Sequence, residues 1–180
     1  MLALRPTRAP VNIPLVALLD WLGAHGLAYD LHEHPLAFTA LETARVEGLD
    51  PHAFAKTLAV ITADDRRILV ALKASDHLDL VKTARVLGTS RARLLSEVEL
   101  LDLAPSCDIG ALPAVGDLFG VSLYADHALR DIERLTFHAG SHRHAVRVDR
   151  ESWARTARAR FADLAASSDE PAYRSEWDWA

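Results

Sequence analysis

The 180-residue sequence predicts a single domain built on a mixed β-sheet flanked by helices. Three observations carry this expectation. The stretch Phe54–Ile61 ends in an apolar run and, after a short polar turn, is followed by a second one, Ile68–Leu72, so the two read as paired core strands. Segments with apolar residues at helical spacing interleave with alternating ones, but without the regular period of a doubly wound fold. Half of the residues are apolar, enough for one real core at this length.

Taken in order, residues 1–11 carry Pro, Arg and Ala without periodicity and are expected to form a loose arm. Asn12 is placed to cap a first helix with Pro14 in its first turn and an apolar stripe of Leu15, Leu18, Leu19 and Leu22, stopped by Gly23 or Gly26. Leu27–Leu31 alternates as a first strand. Thr39 caps a helix through Val46, closed by Gly48. After the hairpin, a helix is expected from Asp76 to Gly88, and a shorter one capped by Ser96 with Glu99 at the capping-box position. Glycines and prolines at 110, 113, 116 and 120 predict a structured loop over Pro105–Gly120. Strands follow near Val121–Tyr124, Leu135–Phe137 and Ala145–Val148, then a last helix over 149–164. The domain is thus expected over 12–164, with an acidic tail over 165–180 whose Tyr173, Trp177 and Trp179 suit docking better than free solution.

The totals exclude several classes. One cysteine, Cys107, rules out an intrachain disulfide and a clustered-cysteine zinc site and fits a reducing compartment. No apolar run approaches a membrane span, and prolines at 6, 10 and 14 interrupt the N-terminal stretch where a signal peptide needs continuity, so a soluble cytoplasmic protein is expected. Of the net charge of −5, residues 163–180 carry −4, which leaves the rest near neutral. Lys82, Arg85, Arg91 and Arg93 form an acid-free basic run, and a second cluster lies between Arg143 and Arg160. Both suit phosphate contacts, but taken in isolation solvated helix faces account for them better. No Gly-x-Gly-x-x-Gly follows a strand and no Walker-type loop is present, so no nucleotide cofactor is indicated.

Three constellations remain that carry chemistry. Lys56 sits at the mouth of the first hairpin strand. Its stem either packs on the core edge with the ammonium in water, or the charge is held over a pocket where it binds and polarises a substrate oxygen. The loop Cys107–Gly116 contains glycines that let backbone N–H groups approach an oxyanion, or it is a rigid crossover. His138, His142 and His144 follow an apolar strand, with His32 and His34 elsewhere. They share a face if the segment is extended, which suits a strand bordering a pocket. A metal site is disfavoured, because no His-Glu-x-x-His helix or carboxylate network accompanies them. Ser141 lacks a nucleophile elbow and an ordinary base, and Cys107 lacks a thiolate-stabilising cation.

The ordered set His34-Pro35, Ala55-Lys56-Thr57-Leu58, Leu78-Asp79-Leu80, Gly110-Ala-Leu-Pro113-Ala-Val-Gly116, Asp126 and Ala139-Gly140-Ser-His142 resembles the YbaK/ProX family of aminoacyl-tRNA deacylases, relatives of the editing domain inserted in bacterial prolyl-tRNA synthetase. The likeness covers residues 27–150. It implies a central mixed, largely antiparallel sheet flanked by helices, and hydrolysis of the ester of a mischarged tRNA without a cofactor or metal. By the same resemblance Lys56 anchors or polarises the aminoacyl end, and Gly110, Pro113 and Gly116 belong to the loop that holds the carbonyl oxygen or adenosine. His34, Thr39, Thr57, His138, Gly140 and His142 fall among the substrate-binding positions. The implied partner is an aminoacyl-tRNA; the flanking segments 1–26 and 151–180 carry no function over from the resemblance and stay open to tRNA, an aminoacyl-tRNA synthetase or a second subunit. The loop departs from the family's common Pro-Pro-Leu/Phe-Gly ending, so substrate identity does not carry over. Two rivals stay open: a binding protein of this fold without turnover, and a hydrolase of another activated ester.

Overall fold

A computed structural model describes residues 16–166 of the chain. The arm, the expected cap at Asn12 and nearly all of the tail lie outside the described residues. Helix α1 (Val16–Ala24) ends where Gly26 adopts φ +61°, and the chain then enters strand β1 (Tyr29–Glu33). That strand starts two residues later than its alternation suggests, because Leu27 closes the helix end, its N–H donating to Leu22 O at 3.0 Å, and is buried there. Thr39 caps α2 (Ala40–Val46) and Gly48 at φ +64° closes it, as the sequence predicts, and Glu42 completes a full capping box with Thr39.

Strands β2 (Phe54–Thr62) and β3 (Arg67–Lys73) form the expected antiparallel hairpin, with Val60 opposite Ile68. Helix α3 (Leu80–Val86) begins later than predicted. Asp79 rather than Asp76 is its cap, accepting from the N–H groups of Val81 and Lys82, while Leu78 bridges to Ala165. A short strand that the sequence reading missed, β4 (Ala92–Leu94), pairs with β2. Helix α4 (Glu97–Leu103) carries the predicted Ser96–Glu99 capping box. The loop that follows contains one 3-10 turn, Gly116–Phe119, and leads through β5 (Ser122–Asp126) to β6 (Arg134–Ser141) and β7 (His144–Asp149). The last helix is shorter than expected: α5 (Arg150–Thr156) stops, Arg158 turns at φ +52°, and β8 (Arg160–Ala162) joins the sheet. Trp153, Ala157, Phe161 and Leu164 keep helical spacing through this turn, so periodicity alone does not reveal the break.

The sheet order is β1-β7-β6-β2-β3-β5-β8, with β4 on β2. Its pairings are mixed: β1–β7, β2–β3, β2–β4 and β6–β7 run antiparallel, whereas β2–β6, β3–β5 and β5–β8 run parallel. Alternation sends Ala55, Ala59, Leu69, Ala71, Leu135, Phe137 and Ala139 into the main core with α1, Trp153 of α5 and loop residues Leu112, Ala114 and Val115. The opposite face divides its core in two. Val60, Val70 and Leu72 pack with Ala84 of α3, and Phe54 and Ala145 with Ala40 and Ala44 of α2.

Gly116 is fixed by this packing. A Cβ there would clash with the backbone oxygen of Val121 and meet Leu123 N at 3.2 Å, neither of which is a flexible side-chain end. Gly116→Ala is therefore expected to cost about 1–3 kcal/mol through overpacking, read as a lowered urea midpoint with unchanged slope. An unchanged midpoint would mean that the 3-10 turn shifts freely.

Candidate active site

The parallel ladder between β2 and β6 is short. It comprises Phe54 opposite Thr136 and Ala55 opposite Phe137. Lys56 and His138 are the first residues beyond it, on the same sheet face as Phe54, whose ring meets that of His138 edge-on at 5.1 Å between centroids. From there the strands part. Further along β2, the edge that faced β6 is taken by β4 from Val60 onward. On β6, the freed edge is taken by the glycine-proline loop: Asp108 N–H donates to Gly140 O at 2.9 Å and Gly140 N–H donates to Ala111 O at 3.0 Å. A fork between two central strands results, with Lys56 half-buried on one side and His138 on the other.

The β6–β7 turn fastens this fork. The register breaks between His138 and Ser141, and Gly140 at φ +87° makes the break possible. His142 therefore lies in the turn, which corrects the expectation that residues 138, 142 and 144 share one strand face. Its N–H donates to Asp108 Oδ2 at 3.0 Å and its Nε2 donates to Ile109 O at 2.8 Å, holding the loop. Across the turn, His34 N–H donates to Arg143 O and Ala37 N–H donates to His142 O, holding the His34-Pro35 segment. Three stretches distant in sequence thus meet at one hairpin.

His138 is 2% exposed. Burial first, then the neighbouring His142 and His34 rings, push its pKa down to about 3, so it is neutral at physiological pH. The Ser141 backbone lies close enough to favour the charged ring slightly, but neither ring nitrogen reaches hydrogen-bonding geometry with any partner. The His34 and His142 rings stand 6.5 and 6.0 Å from it. Phe38, an exposed ring 5.3 Å from that of His142, forms the outer layer.

Other expected site residues lie apart from this cluster or are otherwise engaged. Thr57 follows Lys56 and so occupies the opposite, main-core face; it is buried with no partner for Oγ1. The Thr39 hydroxyl caps α2, accepting from Glu42 N–H at 3.1 Å. Gly110, at φ +86°, belongs to the loop segment stitched to β6, whereas Pro113 and Gly116 are buried in its inner part, where Trp153 Nε1 donates to Ala114 O at 2.7 Å. Ser141 pairs with one of the histidines that flank it: its Oγ meets His144 Nδ1 at 2.8 Å. Both are buried, and the hydroxyl also accepts from Arg143 N–H, so the pair closes the turn. Burial raises the Cys107 thiol to about 11, which keeps it protonated. Among the described residues no group of three His, Cys, Asp or Glu side chains is arranged to hold a metal ion, and no helix is long and apolar enough to cross a membrane.

The basic runs are partly neutralised. Lys82 pairs with Asp163 at 3.0 Å, Arg93 with Glu99 at 2.8 Å and Arg158 with Asp117 at 2.6 Å, all in surface positions where such pairs contribute little stability.

Residues 34–156 match the model of the aminoacyl-tRNA editing domain, and the chain belongs to that family. The proline–tRNA ligase of Shouchella clausii is 35% identical over 112 residues, 62% of this chain but 19% of the ligase; that of Halalkalibacterium halodurans is 30% identical over 93 residues, 51% of this chain and 16% of the ligase. The chain thus spans less than a fifth of these relatives' length. Among solved structures, a candidate trans-editing enzyme for prolyl tRNA synthetase superposes with a TM-score of 0.76 at 23% identity, covering 92% of this chain and all of that one. The hypothetical protein APE2540 superposes with a TM-score of 0.77 at 20% identity, over 83% of this chain and 99% of that one. These two likenesses show the fold.

Proposed function

We propose that this protein is a trans-editing deacylase that hydrolyses the ester linking a wrongly attached amino acid to its tRNA. The observation that carries the reading is the fork itself. Within the stretch matched by the editing-domain family, Lys56 and His138 stand as neighbours where β2 and β6 part. An aminoacyl ester is already activated, so positioning and a fixed charge aimed at the developing oxyanion are enough to accelerate its hydrolysis. Lys56 anchors the aminoacyl end and polarises its carbonyl. The Gly110 loop and the Gly140–His142 turn border the acyl group, and water, activated by a ribose hydroxyl of the terminal adenosine, attacks.

The test is hydrolysis of a complete panel of aminoacyl-tRNAs by the purified protein. One or a few charged tRNAs are expected to be deacylated, and binding is expected to weaken steeply as salt rises, because phosphate contacts release counterions. A panel in which nothing is turned over, with salt-insensitive binding of a small ligand, would transfer the site to the binding-protein reading.

A further inference from the structure

The hydrogen bonds around His138 fix what its neighbours have left to offer. A backbone carbonyl only accepts, so His34 Nδ1, 2.8 Å from Pro35 O, and His142 Nε2, 2.8 Å from Ile109 O, carry the protons. In the neutral rings the opposite nitrogens, His34 Nε2 and His142 Nδ1, are then acceptors. Both are buried without a partner. Between them His138 offers a further acceptor and one N–H, again without partners. Each such group left unmatched costs about 1–3 kcal/mol, and folded proteins retain few of them. Their concentration at one fork, beside Lys56, is a site's signature rather than a core's.

We infer that His34, His138 and His142 together recognise the α-amino group of the aminoacyl ester, deepening the deacylase reading on which this inference rests. An amino group in its ammonium form brings three donors and no acceptor, which matches three imidazole lone pairs; a hydroxyl brings one donor and a methyl none. Placement favours the α-amino group over the amino-acid side chain. Lys56 and His138 follow the last β2–β6 pair, Ala55 with Phe137, on one sheet face, so a carbonyl oxygen held at Lys56 sets the substituents of the neighbouring α-carbon toward His138. On the outer side of the cluster stands Phe38, an exposed ring 5.3 Å from that of His142.

Two non-hydrolysable probes that differ only in this amine test the inference: 3′-deoxy-3′-(2-aminobutyrylamino)adenosine and 3′-deoxy-3′-(butyrylamino)adenosine. Binding to the wild-type protein is followed by titration, and the histidine ring nitrogens by NMR on 15N-labelled protein. The amino probe is expected to bind at least tenfold more tightly and to shift the His138 nitrogens, and His138→Phe is expected to bring the two affinities within about twofold. Equal affinities in the wild type, or an amine preference that leaves the His138 nitrogens unmoved, overturns the inference while tRNA turnover in the panel leaves the deacylase reading standing. Absence of both tRNA turnover and probe binding removes the deacylase reading and this inference with it. Should His138→Phe fail to fold, the wild-type probe pair and the ring-nitrogen shifts decide alone.

Discussion

Lys56→Ala is expected to lower the rate of aminoacyl-tRNA deacylation by about 10²–10³-fold, the loss typical of removing one oxyanion-stabilising group, while the protein stays folded. The lysine is half-buried at the point where the β2–β6 ladder ends, so its charge works in surroundings less polar than water. At an effective dielectric of about 20, a unit charge about 4 Å from a developing oxyanion gains about 4 kcal/mol. The gain is smaller for a neutral ground-state carbonyl, and that difference is what accelerates the reaction. Lys56→Met separates charge from stem. It keeps most of the apolar packing and is expected to be as slow as the alanine variant. Lys56→Arg keeps the charge but spreads it over a planar fork, and is expected to recover only part of the rate. The measurement is single-turnover deacylation of the best panel substrate, with circular dichroism and urea midpoints as the fold control. A folded Lys56→Ala protein as fast as wild type would return the lysine to the role of a snorkelling core-edge residue.

The parts of this fold legible in the sequence are those encoded locally. Thr39 with Glu42 and Ser96 with Glu99 announce helix starts through chemistry confined to four residues, and both boxes form. The β2–β3 hairpin is legible because both strands are buried apolar runs separated by a short turn. What escaped depends on partners remote in the chain. β4 is three residues long and exists because β2 offers an edge, and β8 exists because β5 does. The same division holds at the site. Lys56 and the histidines could be singled out as residue types, and the family resemblance supplied their order. That Thr57 leaves the face of Lys56 follows from strand alternation alone, but that His138 shares it follows from the parallel register of β2 on β6, and no local pattern states a register between segments about 80 residues apart. Gly140 offered one signal: a glycine inside an otherwise strand-like run marks a bulge or a close approach, and here it marks both.

The neutral His138 ring also predicts how the protein responds to acid. An exposed histidine in the unfolded chain titrates near 6.5, whereas in the fold burial, with His142 and His34 beside it, holds His138 to about 3. Between those values the unfolded chain binds a proton that the folded chain refuses. The stability present above pH 6.5 is therefore lost progressively as pH falls toward 3, at about 1.4 kcal/mol per pH unit. From pH 7 to 4.5 the His138 contribution amounts to about 2–3 kcal/mol. Other groups add slopes of their own: Asp64, Glu99 and Asp149 are held below their ordinary values by their hydrogen-bond partners, and they too lose stability on acidification. Comparison with His138→Phe cancels those contributions, because the variant keeps every one of them. Urea unfolding at pH 7.0, 5.5 and 4.5 is expected to show the wild type losing about 2–3 kcal/mol more than the variant over this range, with no divergence above pH 7. Parallel curves would mean that His138 takes up its proton in the folded protein as readily as in the unfolded one, and that the fork admits water around the ring.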